Sequence, residues 1–156
     1  MPRRARVVFA SYNQLPLLRR AIRGYLRQST TDFALTVADD GSTPDTLEFL
    51  EEFRPELEAR GVPLDVVWHP DEGFRKTTIL NEAIRRSDGE PLLVFSDGDC
   101  IPPAHFVERH IEAHEQRSFH VGGAYRLSPD VSRRLTEADV DAGRFEGKGT
   151  GADRRD

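Results

Sequence analysis

The sequence predicts an α/β fold built on a mainly parallel β-sheet, and three observations support this. Short runs rich in β-branched and aromatic residues alternate with segments in which apolar residues recur at helical spacing. The connections between these segments are short, as in βαβ units with right-handed crossovers. Several of the apolar runs end in polar residues, which a parallel arrangement brings to one edge of the sheet, where ligands bind in open α/β folds.

The first half of the chain contains three predicted strands separated by helices. The strands are short apolar runs bounded by polar or turn residues, at 6–10, 33–38 and 64–68. Apolar spacing predicts one helix over about 14–28 and a second that begins at Ser42 or Thr43 and ends before 61–63. Trp68, at the end of the third strand, is predicted to belong to the core.

The second half continues the alternation and then weakens. Ile79, Leu80, Ala83 and Ile84 define one face of a third helix. The run 92–95 lacks polar alternation, which predicts a strand covered on both faces. The later segments are predicted as a helix at 104–116, a fifth strand at 119–125, a helix at 130–142 and a flexible glycine-rich charged tail to 156. We therefore expect one domain over 1–127, a helical segment with a tail over 128–156, and an architecture that this chain does not complete.

Composition and charge exclude several classes of protein. The apolar fraction of 37% and the charged fraction of 31% are typical of a globular domain. A net charge of −5 without a lysine- or arginine-rich block argues against nucleic acid as the main partner. No apolar run approaches the roughly 20 residues of a transmembrane helix, and no signal peptide is recognisable. With a single cysteine, Cys100, these features predict a cytoplasmic protein.

The strongest chemical signal follows the fourth predicted strand. Asp97 and Asp99 flank Gly98 directly after the apolar run. On extended backbone, residues two apart share one face with Cα atoms about 6.5 to 7 Å apart. Hard carboxylate oxygens in this arrangement suit Mg²⁺ or Mn²⁺ together with phosphate oxygens of a substrate. A solvated turn at the end of the strand is the alternative.

Three further polar segments accompany this pair in a regular order. The four segments are Ala-Ser-Tyr-Asn at 10–13, Ala-Asp-Asp-Gly-Ser at 38–42, Gly-Phe-Arg-Lys at 73–76 with Asn81, and Phe-Ser-Asp-Gly-Asp-Cys at 95–100. The set resembles the family 2 glycosyltransferases, inverting enzymes of the GT-A fold, over about 6–127, and is most similar to galactosyltransferase and chondroitin-polymerase-like members. The resemblance implies a Rossmann-like GT-A domain that binds a nucleotide sugar, UDP-linked, through Mn²⁺ or Mg²⁺ and transfers the sugar with inversion to a saccharide hydroxyl.

The resemblance also implies roles for individual residues. Those at the donor are Ser11, Tyr12, Asn13, Asp39, Asp40, Arg75, Lys76 and Asp97, and those at the metal are Asp97 and Asp99. Either Asp39 or Asp40 would accept a hydrogen bond from the uracil N3–H. Arg75 and Lys76 would meet the diphosphate or the base. Of Asp97 and Asp99, Asp99 would be the direct ligand of the metal ion. That ion would stabilise charge on the departing nucleoside diphosphate.

The general base that inverting transfer requires is not identified. The segment of the Trp-Gly-Gly-Glu-Asp type that carries this acid in the family is absent from the sequence. The acids Glu137, Asp139 and Asp141 lie in no matching motif, so none is assigned as the base. A nucleotide-sugar-binding module without catalytic activity therefore remains the alternative to an active transferase.

Other interpretations are weaker. A phosphatase of the haloacid-dehalogenase type also uses D-x-D, but on its first strand and followed by Thr or Val rather than by Cys100. His110 and His114 share a helical face, yet the glutamate expected after the first histidine of a zinc-binding helix is absent. Turn formation for Asp39 or Asp40 remains an alternative to ligand contact. The sequence also leaves open that Arg75 and Lys76 are ordinary surface charges and that Asn81 is a packing residue. Cys100 is interpreted as an unreactive buried thiol, because no histidine partner for a nucleophile is recognisable.

Overall fold

In a computed structural model of the protein, residues 4–87 and 89–146 are described, so the tail predicted beyond 146 lies outside them. Strands and helices alternate along the first hundred residues, as predicted. The strands are β1 (Ala5–Ser11), β2 (Phe33–Asp39), β3 (Leu64–Trp68) and β4 (Leu92–Asp97). The helices are α1 (Leu15–Leu26), α2 (Pro44–Ala59), α3 (Lys76–Arg85), α4 (Phe106–Ala113), α5 (Pro129–Arg134) and α6 (Glu137–Asp141).

The four strands form one parallel sheet in the order β3-β2-β1-β4. Every residue of the two central strands, β1 and β2, is buried, as their continuous apolar runs predict. The register pairs Ser11 with Asp39 and Ala10 with Asp97. The carboxyl ends of β1, β2 and β4 therefore lie side by side at one edge of the sheet.

Helices cover both faces of the sheet because consecutive strand residues point to opposite sides. On one face Val7 and Phe9 pack in the larger core cluster, in which the ring of Phe9 stacks on that of Tyr25 with centroids 5.6 Å apart. On the other face Val8 packs with Ile79 of α3 in a smaller cluster. The two clusters fix the sheet between α3 on one side and α1, α2 and α4 on the other.

Three predictions about strands and core are wrong. Residues 119–125 form no strand, and Phe119 and Val121 are 88% and 87% exposed. This segment contains Gly122 and Gly123, which disfavour strand pairing. Because β4 is an edge strand of the sheet, Phe95 is half-exposed instead of covered on both faces. Trp68 is also exposed, since it ends the other edge strand, β3, where neighbours pack against only one side.

The helix predicted over 130–142 is broken into α5 and α6. Leu135, after α5, has extended backbone, and Thr136 then starts α6 with a capping box. The Thr136 hydroxyl accepts a hydrogen bond from the Asp139 N–H, and the Asp139 carboxylate accepts one from the Thr136 N–H. None of the helices within the described ranges is long and apolar enough to cross a membrane.

Candidate functional site

A small cavity of about 270 Å³ lies at the edge of the sheet where β1, β2 and β4 end. Its walls are formed by Ala10, Ser11, Tyr12, Gln14, Asp40, Phe74, Lys76, Asp97 and Asp99. Six of these residues are among those predicted for the site: Ser11, Tyr12, Asp40, Lys76, Asp97 and Asp99. The topology thus brings together side chains that are up to 88 positions apart in the sequence, from Ser11 to Asp99.

The two adjacent aspartates at the end of β2 have different surroundings. Asp39 is fully buried, and its carboxylate oxygens accept hydrogen bonds from the backbone N–H and the hydroxyl of Ser42, each at 2.7 Å. Burial raises the pKa of the Asp39 carboxyl, and the hydrogen bonds from Ser42 oppose that shift. Asp39 therefore shapes the turn that leads into α2, and it does not line the cavity.

Asp40 does line the cavity, and both of its oxygens are held in place. Oδ1 of Asp40 lies 2.5 Å from Nε2 of His69, and Oδ2 accepts a hydrogen bond from the backbone N–H of Arg75 at 2.9 Å. His69 was not selected from the sequence, although a histidine directly after a strand end is a signal that could have found it. The loops after β2 and β3 and the start of α3 are joined through this one carboxylate.

The loop after β1 supplies an exposed aromatic ring and a structural link. Tyr12 is 47% exposed, and its hydroxyl donates a hydrogen bond to Asp71 at 2.9 Å, which raises the pKa of the phenol. Asn13 has a φ of 45°, a left-handed conformation that asparagine tolerates. Its N–H donates to the Ser42 hydroxyl, and its side-chain oxygen accepts from the Thr43 N–H. Asn13 thus joins two loops and lies outside the cavity wall.

The two carboxylates after β4 lie close together beside Cys100. One ligand atom from each of Asp97, Asp99 and Cys100 can be chosen so that all three lie within 4.8 Å of one another, which among the described residues is the one such group. The turn packs tightly on β1, since the Gly98 N–H donates to the carbonyl of Ala10 at 2.8 Å. A Cβ at Gly98 would lie only 2.8 Å from that carbonyl oxygen.

The donor atoms of this group fit a hard divalent cation. Asp97 and Asp99 are exposed, so their oxygens are accessible to an ion that keeps several waters. Burial, followed by the negative charge of Asp99, raises the pKa of the Cys100 thiol, which disfavours its thiolate form. A protonated thiol is a poor metal ligand. The two carboxylates therefore suit Mg²⁺ or Mn²⁺ better than an ion that prefers thiolate.

The two predicted cations are placed differently. Lys76 lines the cavity, with its Nζ 2.5 Å from Oδ1 of Asp97. The guanidinium of Arg75 instead forms an ion pair with Glu72 on its own loop. Arg75 contributes to the site through its backbone N–H, which binds Asp40. The prediction that both side chains meet the ligand stays a prediction.

The remaining candidates do not reach the cavity. Glu137 and Asp141 pair with Arg23 of α1, and Asp139 is bound within its capping box and to Arg144. The ring of His110 packs edge-on against Phe106 with centroids 4.7 Å apart, and no zinc-type group forms there within the described residues. Asn81 is exposed on α3. The structure therefore does not bring an acid of α6 to the site as a candidate base.

Comparison by sequence gives a family and several relatives. The family model described as Glycosyl transferase family 2 matches residues 6–151. Validoxylamine A glucosyltransferase of Streptomyces hygroscopicus subsp. jinggangensis (strain 5008) is 31% identical over 110 residues, 69% of this chain and 25% of that protein. The uncharacterized glycosyltransferase YfnE of Bacillus subtilis (strain 168) is 30% identical over 113 residues, 72% of this chain and 27% of that protein. The chain spans about a quarter of the length of these curated relatives.

Comparison by structure supports the fold. S. aureus TarS superposes with a TM-score of 0.56 at 21% identity, over 67% of this chain and 18% of TarS. A structure of TarS 1–349 contains UDP and gives a TM-score of 0.53. The mannosyltransferase PcManGT from Pyrobaculum calidifontis, in complex with GDP-Man and Mn²⁺, gives 0.55 at 24% identity, over 70% of this chain and 31% of PcManGT. These likenesses confirm the predicted α/β fold of the GT-A type.

Proposed function

The chain belongs to glycosyl transferase family 2, and we propose that it binds the donor of a metal-dependent inverting glycosyltransferase that uses a UDP-linked sugar. The main support is that Asp40, Lys76 and the Asp97–Asp99 pair surround one cavity at the carboxyl edge of a parallel sheet. The fold is similar to that of TarS, which has been crystallised with UDP, and to that of PcManGT, whose structure is a complex with GDP-Man and Mn²⁺. We propose a saccharide hydroxyl as the acceptor.

Asp40 is the better placed of the two aspartates to recognise the base. An ionised carboxylate offers about four lone-pair positions, so Asp40 can accept a further hydrogen bond besides those that hold it. A uracil N3–H is a donor that needs such an acceptor, and the ring of Tyr12 is exposed beside it for stacking. Asp39 has no such access, because Ser42 holds both of its oxygens and it does not line the cavity. Ser11 and Asn13 shape the wall and the loop around this position.

Lys76 and the carboxylate pair fit the diphosphate end of the donor. Asp97 and Asp99 would hold the divalent ion, which when bound would stabilise negative charge on the leaving nucleoside diphosphate. The ammonium of Lys76 lies at the same cavity and would bind phosphate oxygens as a compact charge. Arg75 would contribute once its guanidinium leaves Glu72.

Proton removal from the acceptor is not assigned to any residue of this chain. Among the described residues, the carboxylates that line the cavity are Asp40, Asp97 and Asp99, all of which have roles in donor binding here. The alternative function is therefore a nucleotide-sugar-binding module that lacks the general base. Donor binding is common to both functions, so a binding measurement does not distinguish them. A hydrolysis or transfer assay with this chain alone does.

The proposal is tested by calorimetric titration of UDP into the protein with Mn²⁺ and without it. We expect binding that depends on Mn²⁺ and that weakens about tenfold or more in Asp99→Asn, because a charged ligand of the ion is lost. Glu112→Gln is the matched control, since Glu112 is exposed on α4 and does not line the cavity. A parallel titration with GDP tests base selectivity, for which we expect weaker binding. A folded wild-type protein that binds UDP under no condition would contradict the proposal.

A further inference from the structure

Lys76 forms an ion pair with Asp97 that affects how a metal ion and a nucleotide can bind in the cavity. Its ammonium lies 2.5 Å from Oδ1 of Asp97, one of the two carboxylates that suit a divalent cation. Both side chains remain partly exposed, at 38% for Lys76 and 53% for Asp97. Among the described residues that line this cavity, Lys76 is the one with a cationic side chain. The cavity therefore contains its own cation, bound to the group that an external cation needs.

The contact makes Lys76 and a divalent cation competitors. A carboxylate oxygen that accepts a hydrogen bond from an ammonium group is blocked on that side, and a second cation nearby is repelled by the ammonium charge. Asp99 has no ion pair with a basic side chain among the described residues, so the competition is confined to Asp97. A divalent cation therefore gains the full pair of carboxylates only after Lys76 leaves Asp97.

The position of Lys76 allows it to leave. It is the first residue of α3, and its side chain is a flexible four-carbon stem that ends in a compact charge. The amino end of a helix favours anions, so phosphate oxygens in the cavity would find both the ammonium and the helix end. Because the ion pair is partly exposed, burial does not oppose transfer of the ammonium from Asp97 to phosphate.

We infer that Lys76 couples the binding of metal and nucleotide: it holds Asp97 when the cavity is empty and moves to the diphosphate when the nucleotide binds. The inference rests on the proposed function and adds a mechanism to it. Nucleotide binding would release Asp97 for the metal, and metal binding would release Lys76 for the diphosphate. By linkage, each ligand then raises the affinity for the other by the same factor.

The alternative is that Lys76 and Asp97 form an ordinary surface ion pair. Removing the lysine charge would then still favour metal binding through the electric field, but by the same factor with and without nucleotide. The exchange predicts a different pattern. Without Lys76, the metal binds more tightly to the empty cavity, and the gain in metal affinity that UDP produces becomes smaller.

The test measures Mn²⁺ affinity from the electron paramagnetic resonance signal of free Mn²⁺, with and without saturating UDP. For Lys76→Met we expect Mn²⁺ to bind up to about fivefold more tightly without UDP, the scale of an exposed ion pair. The factor by which UDP tightens Mn²⁺ binding should fall by at least a similar amount, and Lys76→Arg should retain most of it. Arg86→Met is the control, since Arg86 pairs with Glu82 at the far end of the same helix.

The outcomes separate the inference from the proposed function. If wild-type protein binds UDP with Mn²⁺ but the coupling factor is unchanged in Lys76→Met, the inference is overturned and the proposed function stands. If folded wild-type protein binds neither ligand, the proposed function fails and the inference fails with it. If Mn²⁺ affinity and the coupling factor change equally in Lys76→Met and Arg86→Met, the effect comes from the net charge of the protein. That outcome would also overturn the inference.

Discussion

Neighbouring residues at a strand end acquire different roles because consecutive side chains point in opposite directions. Asp39 points into the protein, where Ser42 satisfies both of its oxygens. Asp40 points towards the cavity, where His69 and the Arg75 N–H hold it. The same chemical group therefore stabilises a turn at one position and presents an acceptor at the next.

The buried carboxyl of Asp39 should leave a signature in the pH dependence of stability. Its pKa is higher in the folded than in the unfolded protein, because burial disfavours the charged form. Such a group contributes stability below its unfolded pKa of about 4, and that contribution is lost as the pH rises through the folded pKa. We therefore expect the unfolding free energy of wild type relative to Asp39→Asn to fall as the pH rises from about 3 towards neutrality. Urea denaturation across this range measures the difference, and a constant difference would contradict the expectation.

Asp40→Asn is the companion variant, with the same chemical change one residue further on. We expect it to weaken UDP binding about tenfold or more, because a hydrogen bond to a charged acceptor contributes about 1.5 to 3 kcal/mol. Calorimetric titration of UDP with Mn²⁺ gives the affinities. The loss should be larger for Asp40→Asn than for Asp39→Asn, and the reverse order would show that base recognition was assigned to the wrong aspartate.

The sequence predicts these residue positions only in part. The proximity of Asp97 and Asp99 is local, since they are two residues apart at a strand end. The choice between Asp39 and Asp40 is not predictable, because it depends on the direction of a single side chain. His69 lies 29 positions from Asp40 and contacts it only through the pairing of β2 with β3. Trp68 is exposed because β3 is an edge strand, and strand order cannot be read from apolar runs alone.

At the scale of elements, the turn between β2 and α2 packs directly on the loop that follows β3. Gly41 has a φ of 95°, and a Cβ built there would lie 2.6 Å from both the Cα and the N of Asp71. Only glycine fits both the left-handed conformation and this close approach. The contact holds the Asp40 turn against the loop that carries His69.

Replacing this glycine should reveal the packing of the two loops. Gly61 is the matched control, because it also has a positive φ, 82°, but a Cβ there would meet nothing within 4 Å. We expect Gly61→Ala to destabilise the protein by about 1 to 2 kcal/mol, the cost of the left-handed conformation. Gly41→Ala should cost about 1 to 3 kcal/mol more, because the added methyl group overlaps backbone atoms. Urea denaturation compares the two, and equal losses would mean that the loop at Asp71 moves away at no cost.

Elements that follow from local apolar periodicity are predicted well from the sequence. Elements that depend on pairing with a distant segment are not. The four strands and the helices between them follow from local apolar periodicity. The segment 119–125 has strand-forming residues, but within the described part of the chain it pairs with no neighbour. The break between α5 and α6 does have a local signal in the sequence, since Thr136 and Asp139 have the spacing of a capping box.

At the scale of the whole molecule, the segment after 127 is attached to α1 largely by charge. Arg20, Arg23 and Arg27 recur every three or four residues and so share one face of α1. Their guanidinium groups bind the carbonyl of Ser132 at 2.7 Å, the carboxylate of Asp141 at 2.9 Å and that of Glu146 at 2.6 Å, respectively. Val140 is the one fully buried apolar residue that α5 and α6 contribute among those described. We propose on this basis that 1–127 is the donor-binding domain and that the following helices are a separate, attached segment.

The fold class is predictable for the whole molecule, whereas this attachment is not. Alternating periodicities determine a parallel sheet with covering helices. The sequence predicts a solvated helix face for the arginines of α1 as readily as an attachment surface, because their partners are more than 100 positions away in the sequence. Long-range pairing between charged surfaces has no periodic signal in the sequence.

The attachment of α6 should therefore depend on salt, whereas the sheet should not. At about 1 M salt the Debye length is about 3 Å, so partly exposed ion pairs lose most of their contribution. We expect amide hydrogen exchange in α6 to accelerate at high salt while β1 and β2, which are fully buried, keep their protection. Arg23→Met should accelerate exchange of α6 up to about fivefold at low salt, the scale of an exposed ion pair, and reduce its salt dependence.

Arg133→Met is the control for this experiment, because Arg133 pairs with Asp130 on its own helix and does not bridge to α1. Arg133→Met removes one positive charge, as Arg23→Met does, but it leaves the ion pair between Arg23 and Asp141 intact. Amide exchange in α6 should therefore stay at the wild-type rate. If α6 instead exchanges at the rate of β1 at every salt concentration, the segment unfolds together with the sheet. The helices after 127 would then be an integral part of the donor-binding domain, and the proposed division would be wrong.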